Sequence, residues 1–63
     1  MTSISEAVKS ARKQCGLSQK EFGETLAVSQ SYISLVERGH EIPTSMFVKL
    51  FCLLYSVDEE SIA

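Results

Sequence analysis

Polar and apolar residues follow one another along this chain in short helical periods separated by abrupt breaks. Ile4, Val8, Ala11 and Cys15 recur at intervals of four, three and four, which is one face of a helix. Ser3 and Glu6 form an S-x-x-E capping box in front of that stripe, so a first helix is predicted over Ile4–Gln14. Gly16 stops it, and Leu17 falls in the connection as a core residue. The next apolar set is Phe22, Leu26, Val28, Ile33 and Val36, spaced four, two, five and three. No single helix or strand has that period, but two short helices meeting at a bend near Ala27 and Val28 do. Ser18 with Glu21 supplies a second capping box and starts the first of the pair at Gln19. Ser29 caps the other, and Gly39 ends it in the left-handed conformation.

Pro43 blocks helix continuation through the loop His40–Glu41–Ile42–Pro43. Thr44 then caps a fourth helix, Ser45 to about Tyr55. Its apolar positions Phe47, Val48, Leu50, Phe51, Leu53 and Leu54, with Met46 beside them, cover most of the circumference. A central, widely buried helix is expected from that distribution. Asp58 caps a last short helix, with Glu59 and Glu60 at its positive end and Ile62 reaching back to the core. The pattern predicts an all-α fold of five helices in a single domain spanning residues 1–63, with no repeat or linker.

A hydrophobic content of 44% sets the chain apart from disordered compositions. The most apolar stretch, Met46 to Val57, is interrupted by Lys49 and Ser56 and is too short to span a bilayer. The first residues lack a cationic flank followed by an apolar run, so the default expectation is a soluble cytoplasmic protein without membrane attachment. Two cysteines, Cys15 and Cys52, fit no metal-ligand spacing. They read as reduced, buried thiols, with a disulfide or an assisted metal site as the lesser alternative. No Ser/His/Asp or Cys/His constellation and no glycine-rich phosphate loop is present. An enzyme, a cofactor, a bound metal and a small-molecule substrate are therefore not expected. The net charge is −2, but the first 57 residues carry six basic and five acidic groups, because Asp58, Glu59 and Glu60 cluster near the end. That balance permits a nucleic-acid partner without arguing for one. Lys9, Arg12 and Lys13 lie off the apolar stripe of the first helix, either as a solvated face or with one of them on a phosphate.

Taken together, Gln19, Phe22, a small residue at 23, Leu26, Val28, Ser29, Ile33, Val36, Glu37 and Gly39 resemble the helix-turn-helix domains of lambdoid phage repressors and Cro proteins. The likeness is closest on the repressor side of that family. It extends upstream through Ser3-Ile4-Ser5, Val8-Lys9-Ser10 and Gln14 to Gly16-Leu17, and downstream through Pro43 and Leu50 to Val57 and Ile62. Two positions depart from the family's pattern, which usually has alanine where this chain has Gly23 and glycine where it has Ala27. A helix-interior glycine costs roughly 0.5–1 kcal/mol relative to alanine, and alanine in a left-handed turn roughly 1–2 kcal/mol.

The resemblance implies a lambda-repressor-like DNA-binding domain, a transcriptional regulator of prokaryotic or phage type whose third helix lies in the major groove of a palindromic operator. Carried over by position, the base-reading residues are Gln30, Ser31, Ser34 and Leu35. Gln30 is the strongest, since its amide can donate to and accept from one adenine. Leu35 either meets a thymine methyl or packs as structure, and Tyr32 either faces the DNA backbone or stacks on the domain. Gln19, Arg38, His40 and Lys9 are the candidates for the DNA backbone, Gln19 because it opens a helix whose free N–H groups favour an anion. Arg12 and Glu37 are expected to form a structural ion pair. The partner is double-stranded DNA, with a weak homodimer assembling on a two-fold operator through the loop after helix three and the C-terminal segment. The alternative is a protein-interaction module on the same fold, antirepressor or antitoxin-like, to which an apolar Leu35 on the reading helix would be suited.

Overall fold

The computed structural model describes residues 3–62. Its four α-helices are α1 (Ile4–Gln14), α2 (Gln19–Thr25), α3 (Gln30–Glu37) and α4 (Ser45–Tyr55), followed by one 3-10 turn, Glu59–Ser61. Each helix begins where a hydroxyl residue satisfies a free amide. Ser18 Oγ accepts from the Glu21 amide at 3.1 Å while the Glu21 carboxylate accepts from the Ser18 amide at 2.9 Å, a reciprocal capping box. At Ser3 the hydroxyl accepts from the Glu6 amide and donates to its carboxylate instead. Ser29 and Thr44 cap α3 and α4 through the amides of Tyr32 and Phe47.

The expected fifth helix is only that one turn. Asp58 caps it, its side chain accepting from the Glu60 amide at 3.0 Å, and Ser61 and Ile62 close three-residue hydrogen bonds to Asp58 and Glu59. With three residues in the turn, no i→i−4 ladder forms.

The core is Val8, Phe22, Leu26, Ile33, Val36, Phe47, Phe51 and Cys52. α2 packs most closely on α3, and α1 crosses α3 behind it. α4 docks by its rings: Phe51 meets Phe22 edge-on at 6.1 Å, Tyr55 lies 4.8 Å from Phe22, and Phe47 meets Tyr32 at 5.5 Å. This leaves the outer side of α4 uncovered, contrary to the expectation of a widely buried helix. Met46 is 75% exposed, Leu53 79% and Leu54 50%, with Ile42 at 89% in the loop before them. A helix apolar on all sides carries no angular signal, and the neighbouring elements are large enough to cover only one side of it. Cys15 is likewise exposed rather than buried. It stands one residue past the last turn of α1, as the C-cap, where the stripe no longer follows the helix.

The bend between α2 and α3 is a helix stop closed by the Val28 amide on the Gly23 carbonyl at 2.9 Å and the Ala27 amide on the Glu24 carbonyl at 3.4 Å, a Schellman arrangement. Ala27 occupies its left-handed position at φ 58°. Gly23 is not the weak point its place in a helix suggests. A Cβ there would stand 2.7 Å from the Val28 carbonyl oxygen and 3.3 Å from that of Ser29, so the close approach of the turn onto α2 requires glycine.

Candidate nucleic-acid interface

The Ser29 cap presents the first turn of α3 to solvent, with Gln30 and Ser31 exposed. One turn on, Ser34 and Leu35 are half-buried, and the exposed Arg38 ends the helix. The packing of α2 on α3 sets Gln19, half-buried on the first turn of α2, beside them. Gln19, Gln30, Ser31, Ser34, Leu35 and Arg38 line one shallow groove of about 300 Å³. Six of the residues singled out in the sequence therefore share a surface. Lys9 does not join them: it lies on α1, in a separate concavity with Glu6, Ser10, Lys13 and Gln14. His40 is exposed in the loop after Gly39 and does not line the groove.

Behind the groove stands the contact between Arg12 and Glu37. Arg12 Nε donates to Glu37 Oε2 at 2.6 Å and Nη2 to Oε1 at 3.1 Å, a bidentate pair. The third nitrogen, Nη1, donates to the Leu17 carbonyl at 3.1 Å. Side-chain exposure is 16% for Arg12 and 4% for Glu37. The hydrogen bonds to Glu37 raise the Arg12 pKa above its ordinary value against the opposing effect of burial, so the guanidinium stays charged and offsets the carboxylate. Gln19 Nε2 adds a further donor to Glu37 Oε1 at 3.3 Å. This link has no counterpart in the sequence reading, because the partners are 18 residues apart on different helices and share no period.

Tyr32 is committed to the fold. Its ring packs edge-on against Phe47, and its hydroxyl accepts from the Thr44 amide at 3.4 Å. Arg38 keeps a long 3.4 Å contact from Nε to the Ser34 carbonyl and is otherwise turned to solvent. Among the described residues no helix is long and apolar enough to cross a membrane.

A family model described as helix-turn-helix matches residues 8–62. The chain is also similar to a protein of Bacillus subtilis (strain 168) described as an uncharacterized HTH-type transcriptional regulator, YgzD. The two are 29% identical over 55 residues, which is 87% of this chain and 83% of that relative.

Proposed function

The chain belongs to the helix-turn-helix family, and from that membership we propose that it is a sequence-specific DNA-binding transcriptional regulator of repressor type. The observation that carries the reading is the shared groove: the exposed start of α3 and the first turn of α2 present Gln19, Gln30, Ser31, Ser34, Leu35 and Arg38 on one surface. Seated in a major groove, α3 brings its N-terminal side chains to base edges. Gln30 reads an adenine through both ends of its amide, Ser31 and Ser34 accept or donate at neighbouring edges, and Leu35 meets a thymine methyl. Arg38 and Gln19 hold phosphates, with His40 and Lys9 as outlying backbone contacts. Few cations serve this surface, so log K should fall with log salt at roughly −2 to −3 per subunit.

The operator in this reading is a palindrome with half-sites about one helical turn apart. A second concavity, about 310 Å³ and lined by Ile4, Ile42, Pro43, Val48 and Ile62 with Lys49 and Glu59 at its edge, supports pairing of two copies there. The acidic run Asp58–Glu60 works against that pairing in free protein and keeps the dimer weak off DNA. The exposed apolar residues of α4 favour a second reading, a protein-interaction module.

Selection from a random duplex library, with Gln30→Ala run beside the parent, tests the proposal. The expected result is an enriched palindrome whose preference relaxes at one base pair per half-site in the variant, a loss of about 1–3 kcal/mol in discrimination. No enrichment by folded protein would shift the reading to a protein partner.

A further inference from the structure

We propose that Glu37 is a positioning residue that sets the orientation of Gln19 in the DNA groove, with Arg12 as the counter-charge that lets a carboxylate stand there. The inference rests on the DNA reading above. A glutamine amide can present either end to a ligand, and an ionised carboxylate accepts only donors. With Nε2 directed at Glu37 Oε1, the Gln19 Oε1 and the second Nε2 hydrogen are the atoms left for the groove. Glu37 cannot swing away to release them. Both of its oxygens are held by Arg12, and Arg12 is itself held by the Leu17 carbonyl in the α1–α2 connection. Three long side chains from three helices have thus lost their rotamer freedom in folding, before any DNA arrives, and that preorganisation favours binding.

Charge alone predicts the opposite consequence for the same residue. Glu37 is an anion behind a surface that must meet phosphates, so removing its charge should tighten binding on electrostatic grounds. A positioning role makes its loss weaken binding. The sign of the effect separates the two.

The experiment is a cycle of parent, Gln19→Ala, Glu37→Gln and the double variant, each binding the selected duplex at a temperature where circular dichroism shows it folded. Glu37→Gln should weaken the parent about three- to tenfold, a coupling typical of neighbouring side chains. In the Gln19→Ala background it should cause no loss. Tighter binding by Glu37→Gln, or an equal loss in both backgrounds, would overturn the proposal. Should Glu37→Gln not fold, NMR relaxation of the parent's side-chain amides decides. Gln19 should be ordered, above about 0.8 on the scale where rigid backbone is about 0.85, and the exposed Gln14 below about 0.6. Equal mobility of the two overturns the proposal. An ordered Gln19 in a parent that binds no duplex overturns the DNA reading itself, and with it the role given to Glu37.

Discussion

Gly23 stands in a helix interior and Ala27 in a left-handed turn, and the turn geometry predicts what alanine at the first and glycine at the second would do. Ala27 sits at φ 58°, a conformation that costs a residue with a Cβ about 1–2 kcal/mol. Ala27→Gly removes that strain but gives the unfolded chain more freedom, an opposing effect of about 0.4–1 kcal/mol. A net stabilisation of about 0.5–1 kcal/mol is expected, or roughly 4–8 °C in Tm for a domain of this size. Gly23→Ala has the reverse outcome despite a better helix propensity, worth about 0.8–1 kcal/mol. The new methyl would meet the Val28 oxygen at 2.7 Å, the Ser29 oxygen at 3.3 Å and Ile33 Cγ1 at 3.4 Å. Two of these are backbone atoms, so the turn must move, at an overpacking cost of about 1–3 kcal/mol. Gly23→Ala should therefore destabilise by about 1 kcal/mol or slightly more, once the propensity gain is set against the clash. The double variant should be more stable than the sum of the two single effects, because glycine at 27 lets the turn that carries Val28 shift away from the added methyl. Urea unfolding of the four proteins, followed by circular dichroism, measures the coupling, expected at about 0.5–1 kcal/mol. A Gly23→Ala protein more stable than the parent would refute the steric argument, and strict additivity would refute the link between the two positions.

Glu37→Gln should lower stability by about 3–5 kcal/mol, since it leaves Arg12 without its counter-charge in a largely buried setting; melting curves that superimpose on the parent's would contradict this. The two thiols should separate in a thiol-reagent assay, with the exposed Cys15 modified at once. Cys52 should react only on unfolding, because burial, helped by the nearby Glu59 and Asp58, holds its pKa above the ordinary value; two equally fast thiols would count against the packing of α4. The hydrogen bond that the Ser18 amide donates to the Glu21 carboxylate is the chief cause that lowers the Glu21 pKa in the folded state. The unfolded chain then binds the proton first, so the stability this cap adds is present above the ordinary carboxylate range and is lost as pH falls through the lowered folded value. The stability gap between parent and Glu21→Gln should accordingly narrow on acidification, and a gap constant with pH would remove the cap from the account.

The helix starts were legible because each rests on a local rule: Ser3, Ser18, Ser29 and Thr44 are hydroxyl residues placed to accept from an amide three residues on. The resemblance named Gln30, Ser31, Ser34 and Leu35 as one group and Gln19, Arg38, His40 and Lys9 as another; the first four share a groove with Gln19 and Arg38, while His40 and Lys9 lie outside it. Apart from the Arg12–Glu37 pair, which the resemblance implied, tertiary proximity escaped the reading. Gly23 is explained by a carbonyl from the next turn, and Gln19 by a carboxylate 18 residues away. Exposure on α4 escaped for a different reason, since Met46, Leu53 and Leu54 are as apolar as the buried Phe47 and Phe51, and only the neighbours decide which side is covered.

The ring cluster that docks α4 has a use of its own. The chain has three phenylalanines, two tyrosines and no tryptophan, and all five rings touch one another in a single chain of contacts across the α2, α3 and α4 junction. Near-ultraviolet dichroism and tyrosine emission therefore report on that junction alone. Backbone dichroism, by contrast, sums over every helix. A population in which α4 lifts off while α2 and α3 stay folded would appear as optical signals that melt at different temperatures. The native protein thus carries its own intrinsic probe of the seam between α4 and the helix pair that bears the groove.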